Sequence, residues 1–339
     1  MKISWQRFEI KPTYPFKISR SVQERVQRVW VRIEADGVEG WGEADPSPYY
    51  GETADTVTGA LERMRPVIEA VPEPECLERL ERDLRAAIGH NGSAHAAVSA
   101  ALYDLIGKRA GIPLWKLWGL DPGDAPLSSF TIGLDEPEVL RKKVEEAAAY
   151  PILKVKLGTD RDEEILRTIR DAAGDRIVRV DANAGWTARE AVGRIAMLAD
   201  YGVEFVEQPL PAADRDGYRF LHGRSVLPII LDESCVDSRD VPGLVRLADG
   251  INIKLSKCGG PREAIRMIHT ARSCGLLVMM GCMLESSLGI APAAHLSPLL
   301  DYADLDGAAL LSSDPFCGPG LDGGTIRLGD APGLGVTRA

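Results

Sequence analysis

The sequence predicts an α/β protein in which an eight-stranded (β/α) barrel follows a smaller α+β domain. Three observations carry that prediction. From residue 127 onward, short apolar runs rich in β-branched residues alternate with helical stretches. Polar residues recur near the C-terminal ends of those runs at an almost constant spacing. The preceding residues instead read as strands followed by helices.

In the first part, Val29-Trp30-Val31-Arg32-Ile33-Glu34 alternates as a half-buried strand does. Gly37-Val38-Glu39-Gly40 turns it and Trp41-Gly42-Glu43-Ala44 returns, which predicts a hairpin. Thr53 to Val71 places Val57, Ala60, Leu61, Met64 and Val67 at helical spacing. Ala94 to Ala110 is an apolar helix of small residues, suited to close packing. Asp121-Pro122-Gly123-Asp124-Ala125-Pro126 reads as a linker. The expected division is residues 1–125 for the first domain and 126–316 for the barrel. The Gly- and Pro-rich residues 317–339 are expected to return to the first domain and complete it.

Eight runs follow the linker: 129–133, 152–156, 177–181, 203–207, 228–232, 250–254, 276–280 and 302–304. Thr131, Lys156, Asp181, Glu207, Asp232 and Lys254 mark the ends of the first six, at steps of 25, 25, 26, 25 and 22 residues. One strand, one helix and two short loops occupy about 25 residues, which is the unit of a TIM-type barrel. No sequence repeat accompanies the period, which disfavours a solenoid.

Barrel active sites form at the C-terminal ends of the strands. That face receives Lys156, Asp181, Glu207, Asp232 and Lys254 from five consecutive strands. A single Asp after a strand is commonly a helix cap, and a single Lys there is commonly solvated. Three carboxylates at one mouth, flanked by lysines, are a different matter. Like charges in close quarters need a cation, and carboxylates with open positions suit Mg²⁺ or Mn²⁺. None of the five histidines falls at these strand ends, which disfavours zinc. Lys154 and Lys156 share one face of their strand, and Lys254 lies beyond the carboxylates. A substrate held at the metal would have one lysine on each side. Burial and a neighbouring cation lower a lysine pKa toward that of a working base. The arrangement suits inversion of a stereocentre by proton removal and return.

The remaining bulk properties set limits. The 339-residue chain is 45% hydrophobic and 27% charged, the balance of a globular protein. A formal charge of −10 argues against nucleic acid and against a basic membrane-binding face. Six cysteines without a C-x-x-C pair argue against a zinc cluster. With no secretory apolar segment at the start, a cytoplasmic protein with reduced thiols is expected.

The motifs Lys154-Val155-Lys156, Asp181-Ala182-Asn183, Glu207-Gln208-Pro209, Asp232-Glu233-Ser234 and Asn252-Ile253-Lys254 closely resemble those of the enolase superfamily, in its muconate-lactonizing subgroup. The hairpin Gly37 to Glu43 is similar to the Gly-x-x-Gly-Trp-Gly-Glu hairpin of that family's capping domain. The resemblance implies an N-terminal α+β capping domain and a (β/α)7β modified TIM barrel. It implies that Asp181, Glu207 and Asp232 bind Mg²⁺ and that Lys156 and Lys254 are the acid/base catalysts. Lys154 would orient the substrate carboxylate. Lys257 is a rival to Lys254, although the Asn-Ile-Lys position matches the family base better.

Asp304-Leu305-Asp306 on the eighth run resembles the Asp-x-Asp motif by which dipeptide epimerases hold a free α-ammonium. The alternative, less favoured, is that Asp304 or Asp306 simply makes turn or capping bonds before Gly307. Thr131 matches a substrate-contacting threonine of those enzymes. The segment Lys17-Ile18-Ser19-Arg20-Ser21 resembles their mobile loop, with Arg20 a candidate contact to a substrate carboxylate or carbonyl. Glu285, after the seventh run, is a candidate for tuning side-chain preference, its role left open. The implied activity is epimerisation at the C-terminal residue of an L,L-dipeptide. N-succinylamino acid racemase and o-succinylbenzoate synthase are the alternatives within the superfamily. Both take an acyl group where a dipeptide has an amine, and so have no use for the Asp pair. Muconate cycloisomerase, whose substrate is a dianion, meets the same objection. A Schiff-base aldolase is a more remote reading, since it needs a lysine but not three carboxylates. Related barrels form dimers and octamers, so a homo-oligomer is expected.

Overall fold

A computed structural model describes residues 1–339. It begins with a strand that the sequence reading missed, β1 (Lys2–Ile10). Two short strands, β2 (Phe16–Ile18) and β3 (Ser21–Gln23), form a hairpin over the segment read as a loop. The expected hairpin is β4 (Val26–Ala35) with β5 (Val38–Ala44). Its turn residues Asp36 and Gly37 have φ of 52° and 79°, the left-handed pair that suits strand twist in a two-residue turn. The three-stranded antiparallel sheet runs β1-β4-β5.

Three helices cover this sheet: α1 (Ala54–Glu69), α2 (Leu77–Ala87) and α3 (Gly92–Ala110). Thr53 and Thr56 form a reciprocal capping box that starts α1. Leu77, Leu80 and Leu84 give α2 its buried stripe. Helix α3 lies so close to β5 that a Cβ on Gly40 would overlap the Ala101 carbonyl, and one on Gly42 the Ala97 carbonyl. Phe316 and Leu334, from the C-terminal segment, join the same hydrophobic core. Leu334 N–H also donates to Asp104 of α3 at 2.7 Å.

The barrel strands are β6 (Phe130–Ile132), β7 (Ile152–Lys156), β8 (Ile177–Asp181), β9 (Val203–Glu207), β10 (Ile229–Leu231), β11 (Gly250–Ile253), β12 (Leu277–Gly281) and β13 (Tyr302–Asp304). All are parallel and paired in chain order. A parallel bridge between Ser128 and Ala303, with Ser129 N–H to the Ala303 carbonyl at 3.0 Å, closes the ring between first and last strands. Most crossovers are the predicted helices, among them α4 (Asp162–Ala173) and α5 (Ala188–Asp200). The fifth differs: between β10 and β11 there is only a 3-10 turn, Val241–Leu244, containing Pro242. This is the 22-residue step, too short and too proline-interrupted for a full crossover helix. No helix is long and apolar enough to cross a membrane, and the six cysteines are all free.

Candidate active site

In an eight-stranded ring, strands four apart face each other across the mouth. Lys156 ends the second strand and Lys254 follows the sixth, so they stand on opposite sides. Asp181, Glu207 and Asp232 come from the third, fourth and fifth strands between them. Asp304 and Asp306 come from the eighth and Thr131 from the first. A cavity of about 500 Å³ opens among Lys156, Asp232, Lys254, Asp304, Asp306 and Thr131. The β2–β3 hairpin and the Pro48–Tyr50 turn of the first domain supply its roof, including Phe16, Arg20 and Tyr50.

Each carboxylate is held by a lysine. Lys156 Nζ lies 2.7 Å from Asp181 Oδ2, and Lys254 Nζ 2.7 Å from Asp232 Oδ2. Lys154, for which a substrate contact is expected, lies deeper. Its ammonium is 2.7 Å from both Glu207 Oε2 and Asp304 Oδ2, and its side chain is 1% exposed. Three carboxylates engage it, which its position at the packed barrel centre explains. Burial opposes ionisation of Asp181, but the Lys156 and Lys154 ammoniums draw it down to about 2. Burial and the charges of Asp181 and Asp232 outweigh Lys154 at Glu207 and push it up to about 7. The base expectation for Lys254 meets the opposite direction here. Burial lowers it, yet Asp232 holds its ammonium above the usual range.

Backbone strain accompanies two of the acidic strand ends. Asn183, Ala184 and Gln208 have φ of 46°, 61° and 39°, immediately beyond Asp181 and Glu207. The Gln208 amide compensates with several bonds. It donates to the Leu210 carbonyl, Tyr218 hydroxyl and Ser234 hydroxyl, and it accepts from Asp232 N–H at 2.8 Å. Asn252 donates to Glu207 Oε1 at 2.7 Å, and Asn183 to Asp181 Oδ2 at 3.1 Å. These residues sit inside the quoted motifs, but the sequence reading assigned them nothing.

The Asp pair faces the cavity, and its two members differ. Asp304 accepts from Ser129 and Lys154, each at 2.7 Å. Asp306 accepts from Thr131 N–H at 2.5 Å and meets no ammonium or guanidinium within ion-pair distance. Burial and the neighbouring Asp304 push Asp306 up to about 7. Arg20 is exposed but not free: it bonds Glu233 at 2.5 Å and the Asn183 carbonyl at 3.0 Å, and lies over the Tyr49 ring. It latches the β2–β3 hairpin to the barrel.

Glu285, the candidate for tuning side-chain preference, is not among the residues that line the cavity. The chain after β12 turns it toward the first domain, where Arg28, Glu43 and Asp45 are buried. Burial pushes Glu43 up to about 7, against bonds from Ser286 and the charge of Arg28. The sign follows from linkage. Below its ordinary value of 4.5, Glu43 is protonated in both states. Between 4.5 and about 7 only the unfolded chain releases the proton, so stability falls as pH rises. Glu43→Gln is therefore expected to remove about 3 kcal/mol of that loss. Urea melts of both proteins at pH 4.5 and 7.5 check this. Equal pH dependence in the two would show that Glu43 does not hold its proton.

No group of three His, Cys, Asp or Glu side chains is gathered to metal-binding distance, because lysine ammoniums stand between the carboxylates. The donors themselves suit a hard cation. All three are carboxylates, and the buried Glu207 Oε2 has the Lys154 ammonium at 2.7 Å as its ion-pair partner but no well-aligned hydrogen bond.

A capped barrel with opposed lysines across a row of acidic strand ends is consistent with an isomerase. Residues 2–119 match the model of the mandelate racemase / muconate lactonizing enzyme N-terminal domain, and residues 139–338 that of the enolase C-terminal domain-like family. The chain belongs to the enolase superfamily. It is 41% identical to the L-Ala-D/L-Glu epimerase of Bacteroides thetaiotaomicron, across 100% of this chain and 88% of that one. It is similar in structure to the substrate-liganded L-Ala-D/L-Glu epimerase of Bacillus subtilis (TM-score 0.94, 33% identity, 99% of each chain). It is also similar to the Enterococcus faecalis dipeptide epimerase complexed with Mg and L-Leu-L-Tyr (TM-score 0.92, 34% identity, 99% of each chain).

Proposed function

We propose that the protein is a Mg²⁺-dependent dipeptide epimerase that inverts the α-carbon of the C-terminal residue of an L,L-dipeptide. One observation carries this: Asp306 is a buried carboxyl without a cation, in the same cavity as two lysines on opposite strands. A substrate ammonium supplies the missing charge, and a substrate α-carbon then has a base on either face. The names of the relatives and the dipeptides in the related structures support the reading.

Asp181, Glu207 and Asp232 would hold Mg²⁺, with Mn²⁺ sharing the same donor preference. When bound, the ion supplies positive charge where negative charge grows on the substrate carboxylate. Lys156 takes the α-proton from one face and Lys254 gives one to the other, or the reverse for the opposite epimer. A cation competing for Asp232 would take from Lys254 the carboxylate that holds its ammonium, which favours its neutral form. Asp306, with Asp304 and Thr131 beside it, fixes the amino terminus. The Arg20–Glu233 pair keeps the hairpin over the cavity and water out.

The test is incubation of the protein and Mg²⁺ with an L,L-dipeptide library in D₂O, following the C-terminal α-proton by NMR and mass. Metal-dependent deuterium uptake with appearance of the L,D isomer is expected, and chelation should stop it. Exchange confined to N-succinyl amino acids would transfer the reading to the racemase alternative.

A further inference from the structure

Lys257 lies three residues after Lys254, on the single helical turn Leu255–Cys258. The two lysines divide one carboxylate. Lys254 bonds Asp232 Oδ2 at 2.7 Å, and Lys257 bonds Asp232 Oδ1 at 2.5 Å. The surroundings of the two ammoniums differ. Lys254 borders the substrate cavity. The Lys257 side chain is 0% exposed, and its ammonium also donates to the carbonyls of Asp232 (2.6 Å), Cys235 (3.0 Å) and Asn252 (3.0 Å). An ammonium has three protons, and four acceptors here share them, so none remains for a substrate. The turn that carries Lys257 is itself fixed. A Cβ on Gly92, at the start of α3, would overlap the Ser256 and Lys257 carbonyls, so the first domain clamps it from outside.

We infer that Lys257 is a positioning residue for the cation site. It holds Oδ1 of Asp232, neutralises part of the acidic cluster from below, and leaves Oδ2 as the oxygen presented to the cavity. It thereby ties the ends of β10 and β11 together, the consecutive strands whose connection has only a 3-10 turn in place of a crossover helix. The inference rests on the reading of Asp232 as a metal ligand. It removes Lys257 as a competitor for the catalytic role of Lys254.

The test compares wild type with Lys257→Met, which keeps most of the stem and loses the charge. Mg²⁺ affinity is measured by calorimetry and thermal unfolding is measured in the absence of metal. Groups that orient metal ligands typically change affinity by about 10- to 100-fold when removed. A loss of that size in a variant with the native circular dichroism spectrum is expected. Wild-type affinity in a destabilised variant would mean that Lys257 is merely structural, and would overturn the inference. If wild type itself binds no Mg²⁺, the reading of Asp232 fails instead, which is a separate result. Should Lys257→Met not fold, the double variant Lys257→Met/Asp232→Asn removes the charge left behind. Folding restored to the level of Asp232→Asn alone supports the Oδ1 pairing. A double variant that still fails to fold shows that Lys257 serves the carbonyls alone, and the inference falls.

Discussion

Lys156→Ala is expected to lower the rate of dipeptide inversion by about 10²- to 10⁴-fold, the usual contribution of a positioned acid or base. Lys156 borders the cavity, is hydrogen-bonded to Asp181 at 2.7 Å, and stands opposite Lys254. Inversion needs a proton removed at one face and another delivered at the opposite face, so losing either lysine stops it. Exchange with solvent needs only one face. The Lys156→Ala variant should therefore still wash deuterium into whichever epimer presents its α-proton to Lys254, without producing the other epimer. Lys254→Ala should show the mirror pattern. Proton NMR of each pure epimer in D₂O reads both effects. Full epimerase activity in Lys156→Ala, or loss of exchange from the same epimer in both variants, would show that the assignment of faces is wrong.

The second large effect is expected at Asp306. Truncating one partner of a buried charge pair costs about 2–5 kcal/mol, or roughly 30- to 4000-fold in kcat/KM. Asp306→Asn should impose such a loss on dipeptides and leave N-acyl amino acids unaffected. Asp306 is the more telling of the pair because Asp304 already has the Lys154 ammonium at 2.7 Å. It also carries a pH signature. The free carboxyl is pushed up to about 7 by burial and by Asp304, so below that pH it holds a proton that an incoming ammonium must displace. KM for dipeptides should therefore rise as pH falls below about 7, with a slope approaching tenfold per unit. That slope should vanish in Asp306→Asn. Equal losses for amines and N-acyl substrates would remove Asp306 from substrate recognition.

How much of this was legible beforehand differs between levels of structure. The barrel was, because parallel strands buried on both faces must be continuously apolar, and a strand-helix unit has a nearly fixed length. The polar residues that interrupt those runs at their ends were legible for the same reason. Strand β1 was not. Arg7 breaks the alternation of its apolar positions, and it is an edge strand identified only by pairing with β4. The β2–β3 hairpin lacks the Asn or Gly that usually marks a two-residue turn.

The order and spacing of residues thus determined the architecture, the acidic row and the opposed lysines by themselves. Which ammonium meets which carboxylate was decided only in three dimensions. Lys154, Lys156, Lys254 and Lys257 are chemically alike and lie within a few residues of one another in two short segments. One became a buried link among three carboxylates, two border the cavity, and one is sealed by four oxygens. Long side chains reach across strands, and the choice of partner depends on depth, burial and the other charges within reach. None of those quantities is local to the chain, so the separate roles of the four lysines exist only once the barrel has closed.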